Sequence, residues 1–263
     1  MTSYKADPED LAFIQGDQWK LEKPGAVPDR QEAPHPHQAI TDPTGEYIIV
    51  PDLGADLVRV FHVDKATLKW TPVAPLVTPA GFGPRHAAFV VLGGKTYFYL
   101  VGELSNEVSG YIVTPNADKS LTFTRFYHAS THGAGGSVPK GTKAAEIVVS
   151  PDNKFLIVSS RLEGVLKIPN FDKANSTQIP SDPLLNYAID QATGNLTLVQ
   201  TSAAGGMNPR QFSINRAGTQ LAVGLQGDGR VVVINRDVAT GQLKDFAASA
   251  DVAGEVTAAI FDE

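Results

Sequence analysis

The chain has 263 residues, 42% of them hydrophobic, with a formal net charge of -6 and no cysteine. The apolar content is enough for one sizeable core or an array of small stacked ones, which excludes global disorder. The acidic balance lacks the basic excess of a nucleic-acid binder, and the absence of cysteine excludes disulfides and Cys-based zinc sites.

No window approaches the roughly 18 consecutive apolar residues of a membrane helix, so no membrane partner is predicted. The opening stretch, MTSYKADPEDLAFIQGDQWK, has acidic and polar residues where an export signal needs a basic patch and an apolar run. A cytoplasmic location is the default expectation, and a secreted one follows only if further sequence precedes Met1.

In chain order, residues 13–21 read as an outer strand of a sheet that precedes the main pattern. Four similar segments follow: PHPHQAITDPTGEYIIVPDLGADLVRVFHVD from Pro34, GPRHAAFVVLGGKTYFYLVGELSNEVSGYIV from Gly83, KAAEIVVSPDNKFLIVSSRLEGVLKI from Lys143 and NPRQFSINRAGTQLAVGLQGDGRVVVINRD from Asn208. Each reads as strand, tight turn, strand, short turn, strand. The turns hold Pro, Gly or Asn, which preset a turn φ or take up a positive one. The aligned starts at Pro36, Pro84, Ala144 and Pro209 are spaced by about 48, 60 and 65 residues, in or above the range of propeller blades. The pattern predicts an all-β fold, a β-propeller of about four full blades plus fragments. Residues 1–263 then form a single domain that is incomplete at its N-terminal side, four being the bottom of the range of about four to eight blades. A β-sandwich also has short, regularly spaced strands, but it does not explain why the same turn and polar positions recur. Residues 253–261, AGEVTAAIF, read as a lone closure strand.

In an antiparallel blade the start of the first strand and the end of the second lie at one end of the channel. The first position holds His37, then Arg85 with His86, then Glu146, then Arg210 with Gln211; the second holds Asp52, Glu103, Arg161 and Gln226. A concave mouth lined with such groups is a default binding site. Arginines there hold a small anionic substrate by forked hydrogen bonds, and His86, Glu146, Arg210, Gln226 and Asp52 are expected to line its binding surface. His37, His86, Glu103 and Glu146 are the groups able to move protons, given neighbours that tune them. A charged rim equally suits a propeller that only binds or scaffolds other proteins.

Other motifs carry less. The glycines from Gly133 to Lys143 lack P-loop order and read as an inter-blade loop, where His128 and His132 are expected to face solvent. His35 and His37, with His86 elsewhere in the chain, do not make up a metal site, so neither a metal nor another cofactor is predicted. Nothing in the residues fixes an oligomeric state.

At these same positions the chain resembles the seven-bladed lactonase family, which contains fungal 3-carboxy-cis,cis-muconate lactonising enzymes (3-carboxymuconate cyclases) and propeller-type bacterial 6-phosphogluconolactonases. The matching stretches are PHPHQAITDPTGEYIIVPDLGADLVRVF, GFGPRHAAF, Gly102-Glu-Leu104, AAEIVVSPDNKFLIVSSR and MNPRQFSINRAGTQLAVG. The style of the chain is similar to that of the fungal members, which are longer on the N-terminal side; Met1 falls where their third blade ends. The resemblance implies either hydrolysis of a lactone or a metal-independent syn cycloisomerisation in which a substrate carboxylate adds to a double bond. His37, Arg85, Glu103 and Arg161 fill the four positions with implied catalytic roles. The arginines would clamp the carboxylates, and His37 with Glu103 would serve as proton donor and acceptor.

Overall fold

The computed structural model describes residues 2–6 and 11–263. A hairpin of β1 (Thr2–Ala6) and β2 (Leu11–Gly16) comes first. The first four-stranded sheet follows, with β3 (Ile40–Thr41), β4 (Tyr47–Asp52), β5 (Leu57–Val63) and β6 (Trp70–Val77) in chain order. The second sheet holds β7 (Pro84–Leu92), β8 (Lys95–Gly102), β9 (Glu107–Pro115) and β10 (Leu121–Ser130). The third begins with β11 (Lys143–Val149) and β12 (Phe155–Arg161); the chain then leaves it for a hairpin of β13 (Leu166–Pro169) and β14 (Gln178–Ser181), and returns as β15 (Pro183–Ile189) and β16 (Leu196–Ala203). The fourth holds β17 (Pro209–Ile214), β18 (Gln220–Leu225), β19 (Arg230–Arg236) and β20 (Leu243–Asp251). Neighbouring strands are antiparallel throughout.

Sheet faces explain the apolar runs. In β8, Tyr97, Tyr99 and Val101 pack against Ile147, Leu156, Leu185 and Tyr187 of the third sheet. The alternate residues Phe98 and Leu100 pack against Ile49, Val58 and Val60 of the first. A strand buried on both faces needs an unbroken apolar run, here TYFYLV, instead of apolar–polar alternation. Ile157 and Leu184 join Phe212, Val223 and Val232 in a third core between the third and fourth sheets. Each such side chain stabilises the stack by about 1.5 to 3 kcal/mol. No comparable core joins the fourth sheet to the first among the described residues, so these sheets form a series and not a closed ring.

Two further repeats hold the sheets in place. The residue before the third strand reaches into the entry of the next sheet: Asp56 accepts the amides of Gly81 and Gly83, Asn106 binds Thr142 and Ala144, and Asp182 accepts the amide of Asn208. The third and fourth strands are joined by DKATLKW from Asp64, DQATGNL from Asp190 and DVATGQL from Asp237. In each turn the fifth residue donates its amide to the Asp carbonyl at 2.7 Å and has positive φ: 56° at Leu68, 75° at Gly194 and 73° at Gly241. A β-carbon on Gly241 would lie 2.3 Å from the Phe155 ring, so glycine also lets the turn press on its neighbour.

The structure revises several expectations. The end of the third segment, read as its third strand up to Ile168, belongs to the inserted hairpin; β15 takes the third place, and Asp182 just before it carries the clamp. Residues 253–261 form no strand. Val256 and Ala259 are buried, and Ala259 is anchored by its amide to Gln211 Oε1, without a ladder. The strand expected over residues 13–21 ends at Gly16. Gln15 there clasps both backbone groups of Trp70 at the start of β6, as Gln200 of β16 clasps Leu243 of β20. The hairpin thus stands to the first sheet as the third sheet's outer strand stands to the fourth. His128 lies in β10, not in a loop, but is exposed as expected and contacts Ser109 and Glu107; His132 is half-buried against Glu163.

Candidate active site

The inner strands start irregularly, at the same place in every sheet. The pairing register slips by one residue between Pro84 and His86, between Ala144 and Ile147, and between Pro209 and Gln211. In the first sheet it slips between the Pro36–Asp52 bridge and the Ile40–Ile49 pair. A bulge of this kind re-aims side chains that strict alternation would send to opposite faces. Arg85 and His86 are thereby both turned to the site, as their contacts below require.

Glu103 follows β8 and is the hub. Arg85 Nε donates to its Oε2 at 2.9 Å, an Arg161 terminal nitrogen lies 2.8 Å from the same oxygen, and Arg30 donates to Oε1 at 2.6 Å. Arg85 and Glu103 are each 2% exposed, and Arg30 is 34% exposed. Arg85 also donates to the Ala145 carbonyl, and Arg161 to those of Lys143 and Ala144, so the strand preceding Glu146 is tied to the cluster. Burial alone would raise a carboxylate, but Arg161, Arg85 and Arg30 pull Glu103 down to about 2. Burial, then the Arg161 charge, lowers the Arg85 guanidinium to about 10, which leaves it charged at neutral pH. Three positive charges face one negative, an excess suited to a bound anion.

A second group adjoins the first. His86 Nδ1 lies 2.7 Å from Glu146 Oε1, and its ring meets that of His37 edge-on with centroids 5.8 Å apart. Burial, then the Arg85 charge, pushes the His37 imidazole down to about 3, so it is neutral at neutral pH. The expected proton donor His37 is thus neutral, and the expected acceptor Glu103 is engaged by three guanidiniums.

The remaining expected residues divide. Arg210 bonds weakly to Gln226 at 3.4 Å, and Gln226 binds Glu255; the Arg210 charge reaches His37, Arg85 and Arg161 without a direct hydrogen bond to them. Asp52 is not available to a ligand. It is fully buried, held by both Nε and a terminal nitrogen of Arg59, and accepts the amides of His35 and Ala55. Sequence reasoning missed Arg30, which lies in a loop with no strand pattern. That loop is fixed by buried Gln31, whose side chain bonds Leu53 and Val27, and by Gly25, where a β-carbon would lie 2.7 Å from Gln31 Oε1.

A recess of about 130 Å³ lined by Arg30, Glu32, His35 and His37 opens beside the cluster. A wider groove of about 400 Å³ runs along the inner strands past Gln38, Phe89, Glu146 and Gln211, within the size range of small-molecule sites. Among the described residues no three His, Cys, Asp or Glu side chains gather as a metal-binding set.

The model of the family "Lactonase, 7-bladed beta-propeller" matches residues 2–260. The "Probable 6-phosphogluconolactonase" of Arthroderma benhamiae is 34% identical over 246 residues, which cover 92% of this chain and 57% of that protein. The "6-phosphogluconolactonase" of Formosa agariphila is 29% identical over 223 residues, covering 84% and 56% respectively. The chain thus spans just over half the length of these curated relatives. Among solved structures, a protein from Lactobacillus plantarum aligns with a TM-score of 0.75 at 26% identity, covering 97% of this chain and 66% of the other. The periplasmic gluconolactonase of Pseudomonas aeruginosa aligns at 0.73 and 25% identity, covering 97% and 67%.

Proposed function

The chain belongs to the seven-bladed β-propeller lactonase family, and we propose that the cluster around Glu103 binds a small anionic lactone and opens it by hydrolysis. The observation that carries this reading is the excess of positive charge, with Arg30, Arg85 and Arg161 converging on one carboxylate. Glu103 holds the three guanidiniums in a fixed array; Arg30, the most exposed of them, meets the substrate's anionic group. Fixed cations beside the reacting carbonyl also stabilise the oxyanion that forms when water adds to it. Gluconolactone-type substrates fit the names of the similar proteins, and a 6-phosphate on such a lactone supplies the anion. The test is the rate of lactone disappearance with the full chain, measured by pH-stat against spontaneous hydrolysis. Acceleration of the phosphorylated lactone over the neutral one is the expected result.

A second reading rests on His37, Arg85, Glu103 and Arg161 standing where the resemblance requires them: cycloisomerisation of a carboxymuconate. Loss of the diene absorbance of 3-carboxymuconate, with no lactone hydrolysis, favours it. A binding or scaffolding protein converts neither substrate.

A further inference from the structure

We propose that His86, oriented by Glu146, is the group that deprotonates the attacking water; this rests on the lactone-opening reading above. The His86 and Glu146 side chains are 13% and 5% exposed, and meet at 2.7 Å through Nδ1 and Oε1. A carboxylate only accepts, so a ring with one N–H pairs with it through Nδ1–H and is left with its lone pair at Nε2. This is the orientation a carboxylate imposes on the histidine of a hydrolytic triad. Glu146 is itself fixed: its Oε1 accepts the Ile147 amide, and its own amide donates to Ser159 Oγ, both at 3.0 Å.

The surroundings favour this pair over the other candidates. Glu146 lines the wide groove, and His37, which touches the His86 ring, lines the recess beside Arg30. His86 touches a lining residue of each, and it directly follows Arg85, whose guanidinium is in the anion cluster. Glu103 has three cations on its two oxygens, and no hydrogen bond holds the His37 ring among the described residues. His86 thus combines a carboxylate partner with a place beside the clamp.

The step balances with water as the only co-reactant. Nε2 takes one proton from water as the water oxygen bonds to the lactone carbonyl carbon. The ring C–O bond then breaks, and the leaving ring oxygen takes the proton from His86. A hydroxyl and a carboxylic acid result, and the acid ionises to solvent.

The experiment compares wild type, H86Q, E146Q and E146D in the full chain on 6-phosphogluconolactone. H86Q is expected to lower kcat by roughly 10²- to 10⁴-fold with KM within about threefold. In E146Q the amide can donate to Nδ1 and so force the hydrogen onto Nε2, lowering kcat by a similar factor; E146D restores part of it. Imidazole ¹⁵N spectra provide a readout that a merely structural role would not move: the Nδ1–H tautomer of His86 in wild type, lost in E146Q. An active wild type with H86Q within about threefold in kcat, or His86 protonated at Nε2 in wild type, overturns the proposal alone. A wild type that opens no lactone overturns the hydrolytic reading and the base role together. Should H86Q not fold, E146Q, E146D and the tautomer carry the test.

Discussion

Arg85 and Glu103 meet at 2.9 Å, each 2% exposed, because a bulge at the start of β7 places the guanidinium opposite the residue that follows β8. The pair is local to one sheet, yet Arg161 from the third sheet and Arg30 from the entry loop close on the same carboxylate. The site is therefore also a joint between sheets.

Replacing the hub tests that joint. Glu103→Gln leaves three guanidiniums crowded without their counter-charge, and breaking a buried pair from one side costs about 3 to 5 kcal/mol. Urea unfolding should show a lower midpoint with the slope unchanged, the midpoint shift multiplied by the slope giving that loss.

Acid should weaken the fold in two separable steps. His37 binds a proton below its ordinary 6.5 when unfolded, but only near 3 when folded, so its contribution is complete above 6.5 and lost as pH falls towards 3. Glu103 moves from an ordinary 4.5 to about 2 on folding, so its contribution is present above 4.5 and lost as pH falls towards 2. Between pH 6.5 and 4.5 only the first of these titrates. His37→Gln should flatten the stability profile in that window and leave the fall below 4.5 in place, as read by thermal melts across the range.

Anion binding should depend on Arg30, the least buried member of the cluster. Arg30→Ala is expected to weaken binding of 6-phosphogluconate by about 1.5 to 3 kcal/mol, the value of hydrogen bonds to charged groups. Arg30→Lys should recover only part, since an ammonium lacks the planar fork. Calorimetric titration measures both. Unchanged affinity in Arg30→Ala would remove this residue from the substrate site.

Asp182 gathers the amides of Leu162, Glu163, Gly164 and Asn208 while fully buried. Asp182→Ala orphans several donors at once and should cost more than about 3 kcal/mol. Asp182→Asn, which keeps one acceptor oxygen, should cost less in the same denaturation series.

Leu68 stands where the two sister turns have glycine, with φ at 56°. A non-glycine residue pays about 1 kcal/mol or more in this region, part of which returns as chain entropy when glycine replaces it. Leu68→Gly should raise stability by roughly 0.5 kcal/mol. A fall on equilibrium unfolding would show that the leucine makes contacts that outweigh the strain.

Much of this was legible beforehand where neighbours in sequence carry the signal. The runs around Tyr97 and Leu156, the Gly93-Gly94 turn and the repeated starts at Pro84 and Pro209 define strands and spacing, because a strand buried on both faces must be apolar along its length. Residues 166–169 misled for the same reason: a short apolar stretch after β12 satisfies the pattern, and only the Asp182 clamp shows where the sheet resumes.

The sequence by itself determined the all-β architecture, the four-fold repeat and the placement of Arg85, Glu103 and Arg161 at one end of the sheets, since these follow from periodicity and from antiparallel geometry. The tertiary structure decided what those groups are able to do. Bulges, which leave no mark in a period-two pattern, turn Arg85 and His86 to one site. A loop without regular structure brings Arg30 to Glu103 across 73 positions of sequence, and burial fixes which groups are charged. Charge state depends on distances and solvent access in three dimensions, and neither is written in the order of residues.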